Sequence, residues 1–194
     1  MEKRYNTAEH SIELEELLDF VRQHGETVSY DKGERLTCEG EPAQWWAFVE
    51  KGYFKYTVSG ISDGCEHVTW FSFEDEFVGA YPDVLDGGKA QFSIEAVVPS
   101  SVVRISGEQL RQFFFQDFKT MQQCLLMTAH LLKQFQGRYI DLHRATPLER
   151  YEMLLQRCPG ITHDLPLQSI ASFLNITPQT LSRIRKNIAL NAIR

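Results

Sequence analysis

Residues 167–186 constrain the fold of this chain more than any other stretch, because they combine two helical patterns with a helix start between them. Ile170 and Leu174 lie four residues apart and would form one apolar face of a first helix. Thr177 and Pro178 then mark a second helix, since a hydroxyl N-cap followed by proline at the first helical position is a typical start. The two patterns together predict a helix-turn-helix.

The second predicted helix has one apolar and one polar side. Leu181 and Ile184 would be buried, and the polar side carries Gln179, Thr180, Ser182, Arg183, Arg185 and Lys186. In DNA-binding proteins of this type, the second helix enters the major groove with its N-terminal residues at the base edges. An ordinary helical hairpin with a solvated basic face is the alternative interpretation. The agreement of turn, cap and polar residue types favours the DNA-binding form.

The charge distribution supports a DNA-binding C-terminal end. The chain has 194 residues and a formal net charge of −6, which on its own argues against a nucleic-acid partner. No acidic residue follows Asp164, however, and residues 165–194 carry four basic ones, so that residues 1–164 have a net charge of −10. An acidic body with a basic end is typical of a protein that meets phosphate with one surface only.

Composition narrows the class of protein. With 43% hydrophobic and 24% charged residues and a mean hydropathy of −0.30, the chain resembles soluble globular proteins. There is no uncharged apolar run long enough for a membrane span, and the polar N-terminal segment has no secretory signal. We therefore expect a cytoplasmic protein without a membrane partner.

Neither a metal site nor an enzyme active site is predicted. Cys38, Cys65, Cys124 and Cys158 are far apart and form no CxxC or Cys/His cluster, which favours free thiols. A cupin-type metalloenzyme would need a His-x-His motif with a carboxylate on its strands, and the sequence has no such motif. No nucleophile–base pair or phosphate-binding glycine loop stands out either, so we expect no catalytic residues and no enzymatic activity.

Short β-rich runs alternate with glycine turns over the first half of the chain. A helix over Glu9–His24 that ends at Gly25 precedes them, and an irregular stretch from Phe73 to Ala90 interrupts them. The runs are Thr27–Tyr30, Arg35–Cys38, Trp45–Val49, Tyr53–Val58, His67–Ser72 after a hairpin turn at Asp63-Gly64, Phe92–Val98 and Val102–Ile105. Many short strands at regular spacing predict an antiparallel sandwich or barrel rather than a parallel sheet.

A heptad pattern follows the predicted strands. Eight positions alternate in spacing between three and four residues, and seven of them are apolar or aromatic. They are Phe118, Met121, Leu125, Thr128, Leu132, Phe135, Tyr139 and Leu142, and we call them the seam. A helix of about 25 residues spans roughly 38 Å, which is longer than a small domain needs for its own core. The seam predicts a parallel dimer interface, and a long helix packed only on its own β-domain is the alternative.

Two capping boxes predict further helices on either side of the seam. Ser106 is followed three residues later by Gln109, and Thr146 is followed three residues later by Glu149. The hinge between the two parts of the chain is therefore expected near Arg144-Ala145-Thr146.

The order of these motifs resembles one known family. The spacing Lys32-Gly33-Glu34, Glu39-Gly40-Glu41 and Val49-x-x-Gly52 resembles the β-roll of cyclic-nucleotide-binding domains. Joined to a C-terminal helix-turn-helix, it resembles the Crp/Fnr (catabolite activator and fumarate-nitrate regulator) family of transcription factors over essentially the whole chain.

The resemblance implies an α+β fold in three parts. These are a jelly-roll-like antiparallel β-roll sensor domain in residues 1–116, a dimerisation helix in residues 117–144 and a helix-turn-helix domain in residues 145–194. It also implies a homodimeric regulator whose partners are double-stranded DNA with a pseudo-palindromic site, a second copy of the chain and RNA polymerase. A sensor or interaction module without a DNA role is the alternative.

The nucleotide pocket of that family is not matched here. In the family, a Gly-Glu segment holds the ribose hydroxyl and an Arg-Ser pair neutralises the cyclic phosphate. In this chain Gly79 is followed by Ala80, the arginine and serine positions become Ala90 and Gln91, and Lys89 is the only nearby base. We therefore expect no cofactor, and either a small effector other than cyclic AMP or none.

The candidate effector pocket has aromatic residues that suit a flat or apolar ligand, and the alternative is that they are ordinary core of the β-roll. The candidate residues are Trp70, Phe77, Val78, Gly79, Ala80, Tyr81, Lys89, Ala90, Gln91 and Phe92.

By the same resemblance, Pro178, Gln179 and Arg183 occupy base-reading positions. Arg183 suits guanine O6/N7, Gln179 suits adenine N6/N7, and Pro178 can donate nothing, which predicts a half-site that retains one key G·C pair. Ser169, Thr177, Thr180, Arg185 and Lys186 are expected at phosphates, and Ser182 at either. Too few residues follow Lys186 for the β-hairpin wing that members of the family often carry.

Overall fold

The computed structural model describes residues 14–62 and 64–191 of the chain. Its elements, in chain order, are α1 (Glu15–His24), β1 (Glu26–Tyr30), β2 (Arg35–Thr37), β3 (Trp45–Lys51), β4 (Phe54–Ser59), β5 (Glu66–Ser72), β6 (Phe77–Gly79), α2 (Asp83–Asp86), β7 (Ser93–Ala96), β8 (Ser100–Ser106), α3 (Gly107–Phe114), α4 (Phe118–Arg144), α5 (Pro147–Arg157), α6 (Ile161–Asp164), α7 (Leu167–Phe173) and α8 (Pro178–Asn191). The predicted α+β class is confirmed, with antiparallel strands first and helices after them. Residues 9–13 of the first predicted helix and Asp63 of the predicted hairpin turn lie outside the described residues.

The chain divides into two compact units inside α4. The first unit ends at Leu132 and the second begins at Lys133. The three-part division predicted from the sequence, with boundaries after residues 116 and 144, stays a prediction.

The strands form two four-stranded antiparallel sheets. Their orders are β1-β8-β3-β6 and β2-β7-β4-β5, so that neighbours in the chain are often not neighbours in a sheet. In the first sheet, Val103 of β8 pairs with Thr27 of β1 on one side and with Phe48 of β3 on the other. This arrangement is the predicted sandwich of short antiparallel strands.

Successive side chains of β3 belong to two different hydrophobic cores. Trp46 and Phe48 pack in a cluster that includes Leu110 of α3 and Met127 of α4. Ala47 and Val49 belong to a second cluster, whose members come from strands of both sheets. Because side chains alternate along a strand, the first sheet is buried on both faces, by the other sheet and by helices.

Three short elements were not predicted from the sequence. The stretch Phe73–Ala90, predicted to be irregular, contains β6 and α2, and no element was predicted at α6. β6 is a three-residue edge strand that pairs with β3 alone, and α2 and α6 have four residues each. Elements this short carry too few positions to show a hydrophobic period.

The long helix α4 is buried along only one face. Its start follows α3, whose predicted capping box is confirmed by hydrogen bonds of 2.8 and 3.2 Å between Ser106 and Gln109. α4 has 27 residues, and Thr120, Gln123 and Met127 are buried on the face toward the β-roll. Across the described ranges, no helix, α4 included, has both the length and the apolar character needed to cross a membrane.

Candidate functional site

The predicted helix-turn-helix is present as α7 and α8. Ala171 of α7 and Leu181 of α8 are completely buried, which lets the two helices pack closely. Between them, Asn175 adopts a left-handed backbone conformation with φ of 53°. Asparagine enters this region more readily than other side chains because its short polar group hydrogen-bonds locally. The sequence reasoning missed this role, although an asparagine just after the apolar face of a helix is a known signal for a helix end.

Thr177 caps α8 as predicted. Its Oγ1 accepts a hydrogen bond from the backbone N–H of Thr180 at 3.2 Å, and the two hydroxyl oxygens are 3.0 Å apart. Either hydroxyl can be the donor in this pair, because an oxygen that already accepts one hydrogen bond keeps a second lone pair.

One exposed stripe of α8 carries the main predicted base-reading residues. Gln179, Arg183 and Lys186 are exposed and recur at i, i+4 and i+7, on one side of the helix. Arg185 is also exposed but lies about 160° around the helix from Arg183, at about 100° per residue. Of the other predicted contact residues, Thr177 and Ser182 are exposed, and Ser169, Pro178 and Thr180 are half-buried. The structure therefore separates Arg185 from the stripe.

The Arg183 guanidinium is available to a ligand. Among the described residues, none forms a hydrogen bond or ion pair with it. Its side chain lines a cleft of about 450 Å³ between α5 and α8, together with Pro147, Leu148, Ile184 and others. Arginine presents five N–H donors in a rigid fork, and here the whole fork remains unengaged.

The seam of α4 is exposed along the described chain. Seven of its eight residues are exposed, among them Phe118 at 82%, Leu125 at 68% and Tyr139 at 65%, and Leu142 is half-buried. The opposite face of the helix, with Met127, packs on the β-roll. α4 therefore has two apolar faces, and the described residues of its own chain cover one of them.

The predicted effector-pocket residues are distributed over two cores and the surface. Trp70 and Val78 belong to the core between the sheets, and Phe92 packs against both cores. Four others, Phe77, Ala80, Tyr81 and Ala90, belong to the helix-facing core, Lys89 and Gln91 are exposed, and Gly79 is buried.

Gly79 has a packing role of its own. A Cβ atom at this position would lie 2.5 Å from Cε3 of Trp46 and 2.9 Å from the carbonyl oxygen of Trp45. The close approach of the indole ring therefore requires glycine here, whether or not a nucleotide binds.

Tyr56 is a second residue that the sequence did not single out. Its Oη lies 3.0 Å from Ser72 Oγ and accepts a long hydrogen bond of 3.4 Å from the backbone N–H of Gly79. Its ring meets Phe92 edge to face, with centroids 5.1 Å apart. The phenol thus already accepts the hydrogen bond that the Gly79 backbone N–H can donate. Gly79 is the residue that aligns with the glycine of the family's Gly-Glu segment. The partners of Tyr56 lie on other strands, so no local pattern identifies it.

Tyr81 connects the predicted pocket to α4. Its Oη lies 2.5 Å from Thr128 Oγ1 and 3.7 Å from Cys124 Sγ. Burial raises the pKa of Tyr81 to about 12, so the phenol is neutral and can donate at pH 7.

In the described part of the chain, no group of three or more His, Cys, Asp or Glu side chains could hold a metal ion. The four cysteines are free thiols: Cys38 and Cys65 are exposed, and Cys124 and Cys158 are half-buried.

Comparison with known proteins finds one matching family profile and a set of similar solved structures. Residues 27–117 match the family profile described as "Cyclic nucleotide-binding domain". No curated protein sequence gives a significant match.

Solved structures give strong matches over most of the chain. FixK2 from Bradyrhizobium japonicum is 22% identical, with a TM-score of 0.74, and the match covers 87% of this chain and 86% of that one. A protein from Silicibacter pomeroyi DSS-3, provisionally described as a cAMP-binding regulatory protein, is 26% identical, with a TM-score of 0.69 and coverage of 91% and 81%. A transcriptional regulator from Eubacterium rectale ATCC 33656, provisionally assigned to the crp/fnr family, is 12% identical, with a TM-score of 0.72 and coverage of 89% and 82%.

Proposed function

We propose that the chain is a homodimeric regulator of the Crp/Fnr type that binds specific DNA sequences through α8. The match of residues 27–117 to the cyclic nucleotide-binding domain profile and the similarity of the fold to solved regulator structures support this proposal. The observation that carries the proposal is the exposed stripe of Gln179, Arg183 and Lys186 on a capped helix. No acidic residue follows Asp164 in the sequence, so this end of the chain is suited to approach a phosphate backbone.

Arg183 supplies most of the base specificity in this proposal. Its unengaged fork suits the O6 and N7 atoms of guanine, and a good bidentate pair discriminates against the wrong base by about 1–3 kcal/mol. Gln179, one turn earlier on the same stripe, suits N6 and N7 of adenine. Pro178 contributes a rigid helix start and no donor.

The remaining polar residues position the helix on the DNA backbone. Lys186 lies on the stripe and the Thr180 hydroxyl lies in the first turn of α8, whereas Arg185 reaches a phosphate at the flank of the groove. The full set proposed for phosphates is Ser169, Thr177, Thr180, Arg185 and Lys186, with Ser182 at either a base or a phosphate.

The seam of α4 forms the dimer in this proposal. A helix whose second apolar face stays exposed along seven of eight seam positions needs a cover, and a second copy of the same heptad pattern fits it. A two-fold dimer presents two copies of α8 to half-sites about 34–36 Å apart.

Cyclic AMP is not the effector in this proposal. The chain has Ala80, Ala90 and Gln91 in place of the groups that hold the ribose and phosphate in the family. Tyr56 also accepts a hydrogen bond from the Gly79 backbone N–H, and the Tyr81 phenol is hydrogen-bonded to Thr128 of α4. The protein therefore responds to a different small effector or to none.

The proposal has consequences for partners and location. A regulator of this kind acts in the cytoplasm, has RNA polymerase as a further partner and carries no catalytic residues.

Selection of binding sites from a random double-stranded DNA library tests the proposal. We expect the full-length protein to enrich a pseudo-palindrome with a G·C pair in each half-site. The Arg183→Ala variant is expected to lose about 1–3 kcal/mol on that site and to relax specificity at that base pair. Arg111→Ala, which removes the same charge from the exposed face of α3, is the matched control and is expected to bind as the wild type does. Enrichment of no motif would contradict the proposal.

The proposal that cyclic AMP is not the effector is tested by thermal unfolding in the presence of nucleotides. A ligand present at 100 times its Kd stabilises by about 2.7 kcal/mol, which is easily seen as a shift in Tm. We expect no shift with millimolar cyclic AMP, and a rise of several degrees would contradict this part of the proposal.

A further inference from the structure

The carbonyl groups at the end of α7 are satisfied in two ways. Those of Ile170, Ala171 and Ser172 accept hydrogen bonds from backbone N–H groups in the turn. Those of Phe173 and Leu174 accept hydrogen bonds from arginine side chains on other helices. The last carbonyls of a helix carry the negative end of its dipole, so cationic donors are well placed there.

Arg138 of α4 holds the first of these carbonyls. Its Nη2 donates to the carbonyl oxygen of Phe173 at 2.6 Å, and its guanidinium carbon lies 3.8 Å from the centroid of the Phe173 ring. The side chain is half-buried, and Phe173 is 7% exposed. The same guanidinium therefore fixes both the backbone and the ring of one residue.

Arg150 of α5 joins three elements through three carbonyl groups. Its Nε donates to Leu174 at 3.2 Å, at the end of α7. Its Nη1 donates to the carbonyl oxygen of Leu142, near the end of α4, at 3.3 Å. The same Nη1 donates to the carbonyl oxygen of Ala145, in the hinge segment predicted from the sequence, at 2.6 Å. The α4–α5 connection is thus linked directly to the turn of the helix-turn-helix.

We infer that Arg138 and Arg150 are positioning residues that set the orientation of the helix-turn-helix against the end of α4. The inference rests on the proposed function for its consequence in DNA binding. In a dimer joined along α4, the two copies of α8 fit two half-sites only if each is held at a fixed angle to its own α4. Both arginines donate hydrogen bonds to carbonyl oxygens at this junction.

Lysine cannot replace Arg150 in this role, and at position 138 it lacks the planar guanidinium that stacks on the Phe173 ring while donating to the Phe173 carbonyl. Its ammonium group is a single point with three donors, whereas the carbonyls of Leu142, Ala145 and Leu174 lie on different elements and need the spread fork of a guanidinium. Lysine keeps the positive charge, however, so Arg→Lys variants separate geometry from electrostatics. This makes them better probes than alanine variants.

The test compares full-length Arg150→Lys and Arg138→Lys with Arg144→Lys as the matched control. Arg144 lies at the same junction but is exposed, and within residues 14–62 and 64–191 its ion pair is with Asp141 on its own helix. Two quantities are measured: the ratio of affinities for the selected site and for unrelated DNA, and hydrogen exchange at the backbone N–H groups of Asn175 and Ile176 without DNA.

We expect both test variants to lower the affinity ratio by about tenfold or more, which corresponds to the loss of one hydrogen bond from a charged donor. Binding to unrelated DNA should stay unchanged, because it depends on charge alone. Exchange at the turn should accelerate by a similar factor while the β-roll amides keep their rates. Arg144→Lys should match the wild type in both measurements.

Other outcomes overturn the inference or isolate the proposed function. If the wild type selects no DNA motif, the proposed function fails, and exchange at the turn alone decides the positioning role. If the turn of Arg150→Lys exchanges at the wild-type rate, the inference is wrong. If specific and unrelated DNA binding are lost together with cooperative melting of α5–α8, the arginines only maintain folding, and the inference is also wrong. If Arg150→Lys does not fold, Arg138→Lys decides, because it leaves the three Arg150 hydrogen bonds in place.

Discussion

The phenol of Tyr81 donates its proton to the hydroxyl of Thr128. Thr128 Oγ1 donates its only proton to the carbonyl oxygen of Cys124 at 2.8 Å, so the 2.5 Å contact with Tyr81 Oη requires Tyr81 as the donor. Tyr81 follows β6 in the predicted effector pocket, and Thr128 is the one polar residue of the seam. This hydrogen bond thus links the predicted effector pocket to the predicted dimer face of α4.

Removing this hydrogen bond should cost stability without disturbing the packing. We expect Tyr81→Phe to lower the free energy of unfolding by about 0.5–1.5 kcal/mol, the net value of a typical intramolecular hydrogen bond. Urea denaturation of Tyr81→Phe, Thr128→Val and the double variant measures the coupling between the two residues. If the double variant loses the sum of the unfolding free energies lost by the two single variants, the two side chains are not coupled by a hydrogen bond.

The raised pKa of Tyr81 gives the stability a dependence on alkaline pH. Burial raises the pKa of the phenol to about 12, whereas in the unfolded chain its pKa has the ordinary value of 10.0. The unfolded state therefore loses its proton first, and stability is complete below pH 10 and falls as the pH rises toward 12. We expect the free energy of unfolding to fall more steeply between pH 10 and 12 for the wild type than for Tyr81→Phe. If the free energy of unfolding depends on pH in the same way for both proteins, burial does not raise the pKa of Tyr81.

The turn of the helix-turn-helix should discriminate sharply among substitutions at Asn175. At φ of 53°, a β-branched residue is strained, and we expect Asn175→Val to lose about 1–2 kcal/mol or more of unfolding free energy. Glycine adopts this conformation without strain, so Asn175→Gly serves as the control and should stay close to the wild type. Chemical denaturation followed by far-UV circular dichroism measures both, and equal losses would mean that the left-handed conformation is not required.

Two exposed leucines of α4 separate dimer formation from helix stability. Leu132 belongs to the seam and is 56% exposed, and Leu126 lies off the seam and is 44% exposed. We expect Leu132→Glu to dissociate the dimer, because a charge would be buried at an a/d position, while Leu126→Glu leaves it intact.

Sedimentation equilibrium over a range of concentrations distinguishes the two leucine variants. Thermal unfolding of both variants should be as cooperative as that of wild-type protein in the same association state, monomer or dimer. Sedimentation of the wild type as a monomer would contradict the prediction that the seam is a dimer interface. The same association state for both variants would also contradict it.

The features that could be predicted from the sequence are those whose cause lies within a few residues. The caps at Ser106, Thr146 and Thr177 depend on partners three residues away, and the structure shows all three. The seam was visible for the same reason, because a heptad repeats along one helix. Local periodicity was therefore a sufficient guide to the long helices.

The features that could not be predicted depend on distant parts of the chain. Tyr56 meets Gly79 across 23 residues, and Arg150 meets Leu174 across 24. The sequence predicts that the pocket residues form one lining, yet β6 turns Phe77 and Val78 toward different cores. Such relationships follow from strand order and helix packing, which the spacing of residues does not specify.

Native mass spectrometry of the protein with its selected duplex tests most directly whether two copies of α8 read one symmetric site. We expect a complex of two chains on one duplex, and loss of that complex in Leu132→Glu but not in Leu126→Glu. A stable complex of one chain per duplex, formed equally well by Leu132→Glu, would contradict the proposed function.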